Sequence, residues 1–298
     1  MKTRLTKSLL TILLSAFIAG FFMETAQAKG KKKEVGLQLY SLREDLKKDA
    51  KGTIEAVGKM GYTYVETASY VDGKIYGMEP EEFSAFVKKN GMKVMSAHTG
   101  ADYKGDQASW DAAMEWWDKC IADHKKAGFK YIIKPSMGAY AYESLESIKK
   151  TCDYFNAVGE KCNKAGIRFG YHNHSKEFQK VPNTDIILYD YMVQNTDPAK
   201  VTFELDVYWI YKGGQSAVDY FNKYPGRFEL WHVKDMVKTE DMFFAPVGSG
   251  RMDFASIFAE KETSGMKYFF VEQDSFKDLD PMESIEMSYK YLSQSKFL

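Results

Sequence analysis

The chain has 298 residues, and its 41 Lys and Arg balance 41 Asp and Glu. That neutrality gives no basic footprint for a nucleic-acid backbone. Three cysteines (Cys120, Cys152 and Cys162) without CxxC spacing exclude a disulfide scaffold and are expected to be buried thiols.

The first 28 residues read as an export signal. Lys2, Arg4 and Lys7 form a basic start, "SLLTILLSAFIAGFFM" an apolar core, and Ala26-Gln27-Ala28 an A-x-A cleavage site. The apolar run, interrupted by Ser15 and Gly20, falls short of the roughly 20 residues a spanning helix needs, so no stable membrane anchor is expected. The expectation is a periplasmic or extracellular protein cleaved near Ala28, with residues 29–33 as a solvated basic leader. Losing Lys2, Arg4, Lys7 and Glu24 with the signal leaves 38 basic against 40 acidic residues.

From residue 34 onward one phrase recurs. "KMGYTYVE", "KNGMKVMS", "KAGFKYII", "KAGIRFGY" and "TSGMKYFF" each place a glycine between a helical stretch and an apolar, β-rich run. Glycine there ends a helix in left-handed conformation, so these are short helix-to-strand joints of parallel βα units. Strands are expected to begin near Val35, Thr63, Lys93, Lys130, Ile167, Val201, Phe228 and Lys267. Amphipathic stretches such as "PEEFSAFVKKN" separate them, with Pro80 at a first helical position. Eight βα units predict a single (β/α)8 TIM barrel over residues 34–298, and no GxGxxG supports an open dinucleotide-binding sheet. Trp110, Trp116 and Trp117 are expected to shield the barrel's exterior.

In such a barrel chemistry belongs to the C-terminal strand ends. Those ends carry Glu66, His98, Lys134, the pair His172 and His174, Asp206, His232 with Lys234, and Glu272 with Asp274. Side chains alternate along a strand, so His172 and His174 are expected to aim at one spot. Asp206, His232 and Glu272 come from three successive strands, a mixed oxygen and nitrogen set suited to one Mn2+, Mg2+, Co2+ or Zn2+ ion. A fourth ligand would come from "HNHSKE", where His172, His174 and Glu177 are all candidates. Glu204, two residues before Asp206, is expected as a deeper partner of these ligands. Asp235 is expected to cap backbone or pair with Arg227, and His124 to be solvated or capping.

The stretches "GYHNHSKEF", "FELDVYW", "WHVKDM", "VGSGRMDFASI" and "FVEQD" resemble the motifs of xylose isomerase-like TIM-barrel proteins, the sugar phosphate isomerase/epimerase superfamily, in order and spacing over nearly the whole mature chain. The resemblance implies a divalent metal held by residues of strands 5 to 8, carried onto Asp206, His232 and Glu272. At strand 5 the family's glutamate position falls on His172. Either His172 has replaced it or Glu177 swings in from the loop, and the expectation is Glu177, which would keep two glutamates at the metal.

The family chemistry so implied is proton transfer beside a carbonyl through an enediolate. Glu177 and Glu272 would then be base and acid, with His172 or His174 as proton relays. Lys234 would hold a substrate oxygen; Glu66, His98 and Lys134 would bind sugar hydroxyls; Trp209 would wall the pocket. The leading expectation is a metal-dependent isomerase or epimerase of a keto or aldose sugar. A lyase or hydratase of 3-keto-sugars or 3-keto-glycosides follows, and a non-enzymatic sugar-binding barrel comes third. Export points to free or glycosidic sugars, although "VGSG" could cradle an anion.

Overall fold

A computed structural model describes residues 33–298; the expected signal peptide and all of the leader except Lys33 lie outside them. Eight parallel strands close a barrel. They are β1 (Gly36–Gln38), β2 (Tyr64–Thr67), β3 (Lys93–His98), β4 (Tyr131–Lys134), β5 (Arg168–His172), β6 (Val201–Asp206), β7 (Leu230–Val233) and β10 (Tyr268–Val271). Between β7 and β10 a short antiparallel ribbon pairs β8 (Asp235–Met236) with β9 (Phe244–Ala245). Each barrel strand starts within two residues of its expected place.

The joint glycines behave as their position demands. Gly128 and Gly166 sit at φ +81° and +77° at the ends of helices Gln107–Ala127 and Leu145–Ala165, a region that costs other residues a Cβ clash. Pro80 does open helix Pro80–Lys89. The three cysteines are buried free thiols, and Trp117 is fully buried between helix and barrel, donating to the Tyr154 hydroxyl.

Alternation divides the barrel wall into two sets. Leu37, Val65, Ile132, Phe169, Leu205, Trp231 and Val271 belong to the large core under the helices. Tyr64, Met95, Tyr131, Ile133, Leu230 and Phe270 form a separate apolar cluster that fills the lower bore. Two glycines make room for that plug. A Cβ on Gly36 would lie 2.1 Å from the Tyr64 ring, and one on Gly170 would lie 2.6 Å from Ile133.

One residue pair higher, the same inward rows turn polar: Gln38 follows Gly36, Glu66 follows Tyr64, Glu204 follows Thr202 and His232 follows Leu230. Register places His172 beside Glu204 and Asp206 beside His232. The plug therefore holds up a layer of buried acids and imidazoles.

Candidate metal centre

The lower part of this layer is a hydrogen-bonded set in which Glu66 Oε2 and Glu204 Oε1 are left without partners. Gln38 donates to Glu66 at 2.7 Å, His232 Nε2 meets Glu66 Oε1 at 2.6 Å, and His98 Nε2 meets Glu204 Oε2 at 2.5 Å. His98 and His232 stack with ring centroids 4.9 Å apart. Glu66 and Glu204 are fully buried. Burial pushes the Glu204 carboxyl up to about 7 against the pull of His232, and it pushes His98 down to about 4 despite the Glu66 carboxylate.

The upper part is organised differently. Asp206 ends β6 and caps helix Val207–Lys212, its Oδ1 accepting from the Tyr208 and Trp209 amides at 2.9 and 2.8 Å. That local cap turns Oδ2 into the barrel mouth, where it has no hydrogen-bond partner. His232 Nδ1 and Glu272 Oε2 stand 2.7 Å apart yet out of hydrogen-bond alignment. Both nitrogens of His172 are likewise unpartnered, with Nε2 3.6 Å from Asp206 Oδ2. His172, Asp206, His232 and Glu272 each bring a donor atom within 4.8 Å of the others. Buried polar atoms rarely go without partners. Four such donor atoms close together, two of them also within ion-pair reach of Lys234, fit a cation.

Charge agrees. Glu66, Glu204, Asp206, Glu272 and Asp274 crowd this layer against a single ammonium, Lys234. Lys234 lies 3.0 Å from Asp206, 2.6 Å from Glu272 and 2.9 Å from Asp274. Burial opposes its charge, but the three carboxylates outweigh burial and hold its pKa well above the usual range. His232 is likewise raised, because Glu204 and Glu272 overcome its burial, so a cation bound at its Nδ1 would have to displace that proton. His172 is held well below an ordinary histidine by burial and by the neighbouring His232 and His98, which leaves it a neutral imidazole of the kind metals bind. His174 is lowered too, chiefly by burial.

Above these groups opens a cavity of about 470 Å³ lined by His98, His172, His174, Trp209, Lys234 and Glu272, among others. A larger cavity of about 750 Å³ lies near Tyr211, Ser216 and Arg251 and has no histidine in its lining.

Of the residues singled out in the sequence, His172, Asp206, His232 and Glu272 are brought together, and His98, His174, Trp209 and Lys234 share their cavity. β5 ends at His172, so alternation does not reach His174, yet their ring centroids lie 4.9 Å apart.

Three placements correct expectation. Glu177 does not join the donor group: it accepts from the Tyr171 and Tyr142 hydroxyls at 2.5 and 3.1 Å and from the His174 amide at 3.1 Å. It ties down the loop after β5, and His172 is the residue of this strand in the donor group. Glu66 lies beneath the cavity, holding Gln38 and His232 rather than facing a substrate. Lys134 is drawn aside to Asp102 at 2.6 Å.

Elsewhere, His124 is buried against Tyr70 and Phe129 rather than solvated. Arg227 bonds the Val193 carbonyl and Thr196, not Asp235. Gln38 and Asp274 escaped selection as site residues. The inward row begun by Gly36 pointed to Gln38, and two-residue spacing from Glu272 pointed to Asp274.

A closed eight-stranded barrel with an acid and imidazole cluster at its mouth defines the class. The xylose isomerase-like TIM barrel family matches residues 54–293, and the chain belongs to that family. A solved protein described as a sugar phosphate isomerase/epimerase from Parabacteroides distasonis is 33% identical, covering 89% of this chain and 99% of its own, with a TM-score of 0.81. The inosose dehydratase of Salmonella typhimurium is 24% identical over 197 residues, which is 59% of this chain and 58% of that protein. The chain thus spans under two thirds of that relative's length. The IolI protein solved with a zinc atom shares the fold at 15% identity and a TM-score of 0.70, covering 89% of this chain and 99% of its own.

Proposed function

We propose that this chain catalyses metal-dependent proton transfer at a carbon beside the carbonyl of a keto sugar or keto polyol, leading to loss or addition of a β-oxygen substituent. The observation that carries the reading is the set of four buried donors on His172, Asp206, His232 and Glu272, gathered within 4.8 Å of one another, two of which, His172 and Glu272, line one sugar-sized cavity. A divalent cation held there supplies Lewis acidity toward the carbonyl and the adjoining oxygen. A zinc-bearing neighbour of the same fold supports such a cation.

The chain's own residues supply the rest. Lys234, buried and charged, presents N–H donors to an oxygen on which negative charge develops. His174, neutral chiefly through burial and lining the same cavity, is fitted to take or return a proton. Trp209, 5.3 Å from the His174 ring, closes the side of the cavity and excludes water. In elimination a base takes the α-proton, the C–H electron pair forms a carbon–carbon double bond, and the β C–O bond breaks. The departing oxygen collects a proton from the acid.

Elimination is favoured over epimerisation because Glu177 is committed to two tyrosines, leaving Glu272 without a second carboxylate across the strand-5 side. The relatives named inosose dehydratases lend support. Isomerisation or epimerisation is the second reading, supported by the 33%-identical protein described as an isomerase/epimerase. The expected export signal places either reaction outside the cytoplasm.

The test is incubation with keto sugars in deuterated solvent, with and without chelator, followed by NMR. Chelator-sensitive deuterium beside the carbonyl together with a dehydrated product is expected. An epimer instead would select the second reading. Exchange indifferent to chelator, or none with any substrate, would overturn the proposal and leave a sugar-binding barrel.

A further inference from the structure

None of the four cation-facing residues comes from β1 or β2, yet a chain of hydrogen bonds runs from both strands to His232, and its direction can be worked out. Gln38 Oε1 takes the Tyr40 backbone N–H at 3.0 Å. A backbone N–H only donates, so the atom facing it is the amide oxygen, and the amide nitrogen faces Glu66 Oε1 at 2.7 Å. That nitrogen also only donates, so Glu66 Oε1 accepts. The same oxygen lies 2.6 Å from His232 Nε2. A carboxylate oxygen has a second lone pair and no proton to give, so the proton of this contact sits on His232 Nε2. Nδ1 is left for the mouth, where it stands 2.7 Å from Glu272 Oε2 and 3.8 Å from Asp206 Oδ2.

The surroundings keep that arrangement. Gln38, Glu66 and His232 are fully buried, away from solvent that could offer Nε2 another acceptor. Exchanging the edges of the His232 ring would break its bond to Glu66. The ring's plane is held by His98, stacked with centroids 4.9 Å apart and 17° from parallel, and His98 is itself tied to Glu204 at 2.5 Å. Gln38 ends β1 and Glu66 lies in β2, opposite one another in register, so the backbone sets the span between them.

We infer that Glu66, set by Gln38, is a positioning residue for the cation site: it keeps a proton on His232 Nε2 and so commits Nδ1 to the cation. This rests on reading His172, Asp206, His232 and Glu272 as that site, and it names two residues outside the group that govern how tightly the group holds an ion. The proton displaced on binding is the one on Nδ1, while the Nε2 proton stays with Glu66. A ligand whose tautomer and ring orientation are already fixed gives up less freedom on binding, which is why acceptors behind a ligating histidine govern affinity.

The test measures Zn2+ affinity by competition with a chromophoric chelator for wild type, Glu66→Leu, Glu66→Gln and Gln38→Leu, alongside thermal unfolding of each metal-free protein. Glu66→Leu removes the acceptor and should weaken Zn2+ binding by about 10- to 100-fold. Glu66→Gln keeps an oxygen for the Nε2–H and should recover most of that loss, and Gln38→Leu should show a smaller part of it. In 15N-histidine NMR of the Zn2+-loaded wild type, His232 should carry the metal on Nδ1 and a proton on Nε2. Wild-type affinity in a folded Glu66→Leu, a Glu66→Gln as weak as Glu66→Leu, or a His232 that binds through Nε2 would overturn the inference and leave the cation site standing. A wild type that takes up no Zn2+ would overturn the site itself and the inference with it. Should Glu66→Leu not fold, the wild-type spectra decide: Zn2+ on Nδ1 with a proton on Nε2 supports the inference, and Zn2+ on Nε2 overturns it.

Discussion

The lower and upper halves of the barrel bore are built from the same inward rows, two residues apart, and do opposite work. Below, Tyr64, Tyr131, Leu230 and Phe270 close on one another around Gly36 and Gly170. Above, the carboxyl groups of Glu66, Glu204, Asp206 and Glu272 are buried against fewer positive groups, Lys234 and His232. Apolar burial stabilises the fold at about 25 cal/mol per Å², whereas buried charges cost several kcal/mol each unless paired. The floor is where stability is gained, and the mouth is where it is spent on a cation site.

The strongest way to break this division is Asp206→Asn. Asparagine keeps the helix cap but removes an anionic donor, so kcat should fall by about a thousandfold, some 4 kcal/mol. Thermal stability without metal should hold or rise, which calorimetry of the chelated protein would check. A comparable loss of folding stability in the chelated protein would show that the mouth is structural after all.

Phe270→Ala should do the reverse: about 3–5 kcal/mol less stability in urea unfolding from the emptied bore, with metal content per folded molecule unchanged.

His124 lies outside both halves and provides a control in pH. Burial holds its imidazole down to about 4, against about 6.5 in the unfolded chain. As pH falls from about 6.5 to 4 the unfolded chain takes up the proton first, so stability drops by up to about 3 kcal/mol. His124→Phe should remove that part of the acid slope; an unchanged slope would assign it to the carboxylates instead.

The smallest effect sharpens the strand-5 question. Glu177→Gln keeps one oxygen for the Tyr171 and Tyr142 hydroxyls but loses the acceptor of the His174 amide, and should cost about 1–2 kcal/mol, with metal retained. His172→Ala should lose metal by atomic absorption. The opposite pattern would return the ligand to Glu177.

What could be read from sequence follows from how local its cause is. The helix-ending glycines and the strands after them were legible because their reasons lie within a few residues. Asp206, His232 and Glu272 were legible because period-two alternation and the strand-end rule fix where they point. Glu177 was misplaced because it lies five residues past the end of β5, in the short turn Lys176–Phe178, where strand alternation no longer applies and the Tyr171 and Tyr142 hydroxyls decide its direction. Lys134 found its partner, Asp102, through tertiary proximity that spacing does not encode, whereas Asp235 does cap backbone, at the Gly248, Gly250 and Met252 amides. His124 shows the limit on helices: which stripe meets the neighbouring Tyr70 depends on packing.

Pairing of β1 with β10 sets Gly36 against Phe270, joining the two ends of the described chain. Until the last strand arrives, β1 and β7 are two raw sheet edges and the bore has no complete floor. Glu272 follows that strand directly, so closure and the final donor come in one event. A nascent or truncated chain ending before Tyr268 would be open, sticky along both edges and without the fourth member of the donor group, so that the group would be completed all at once rather than by degrees.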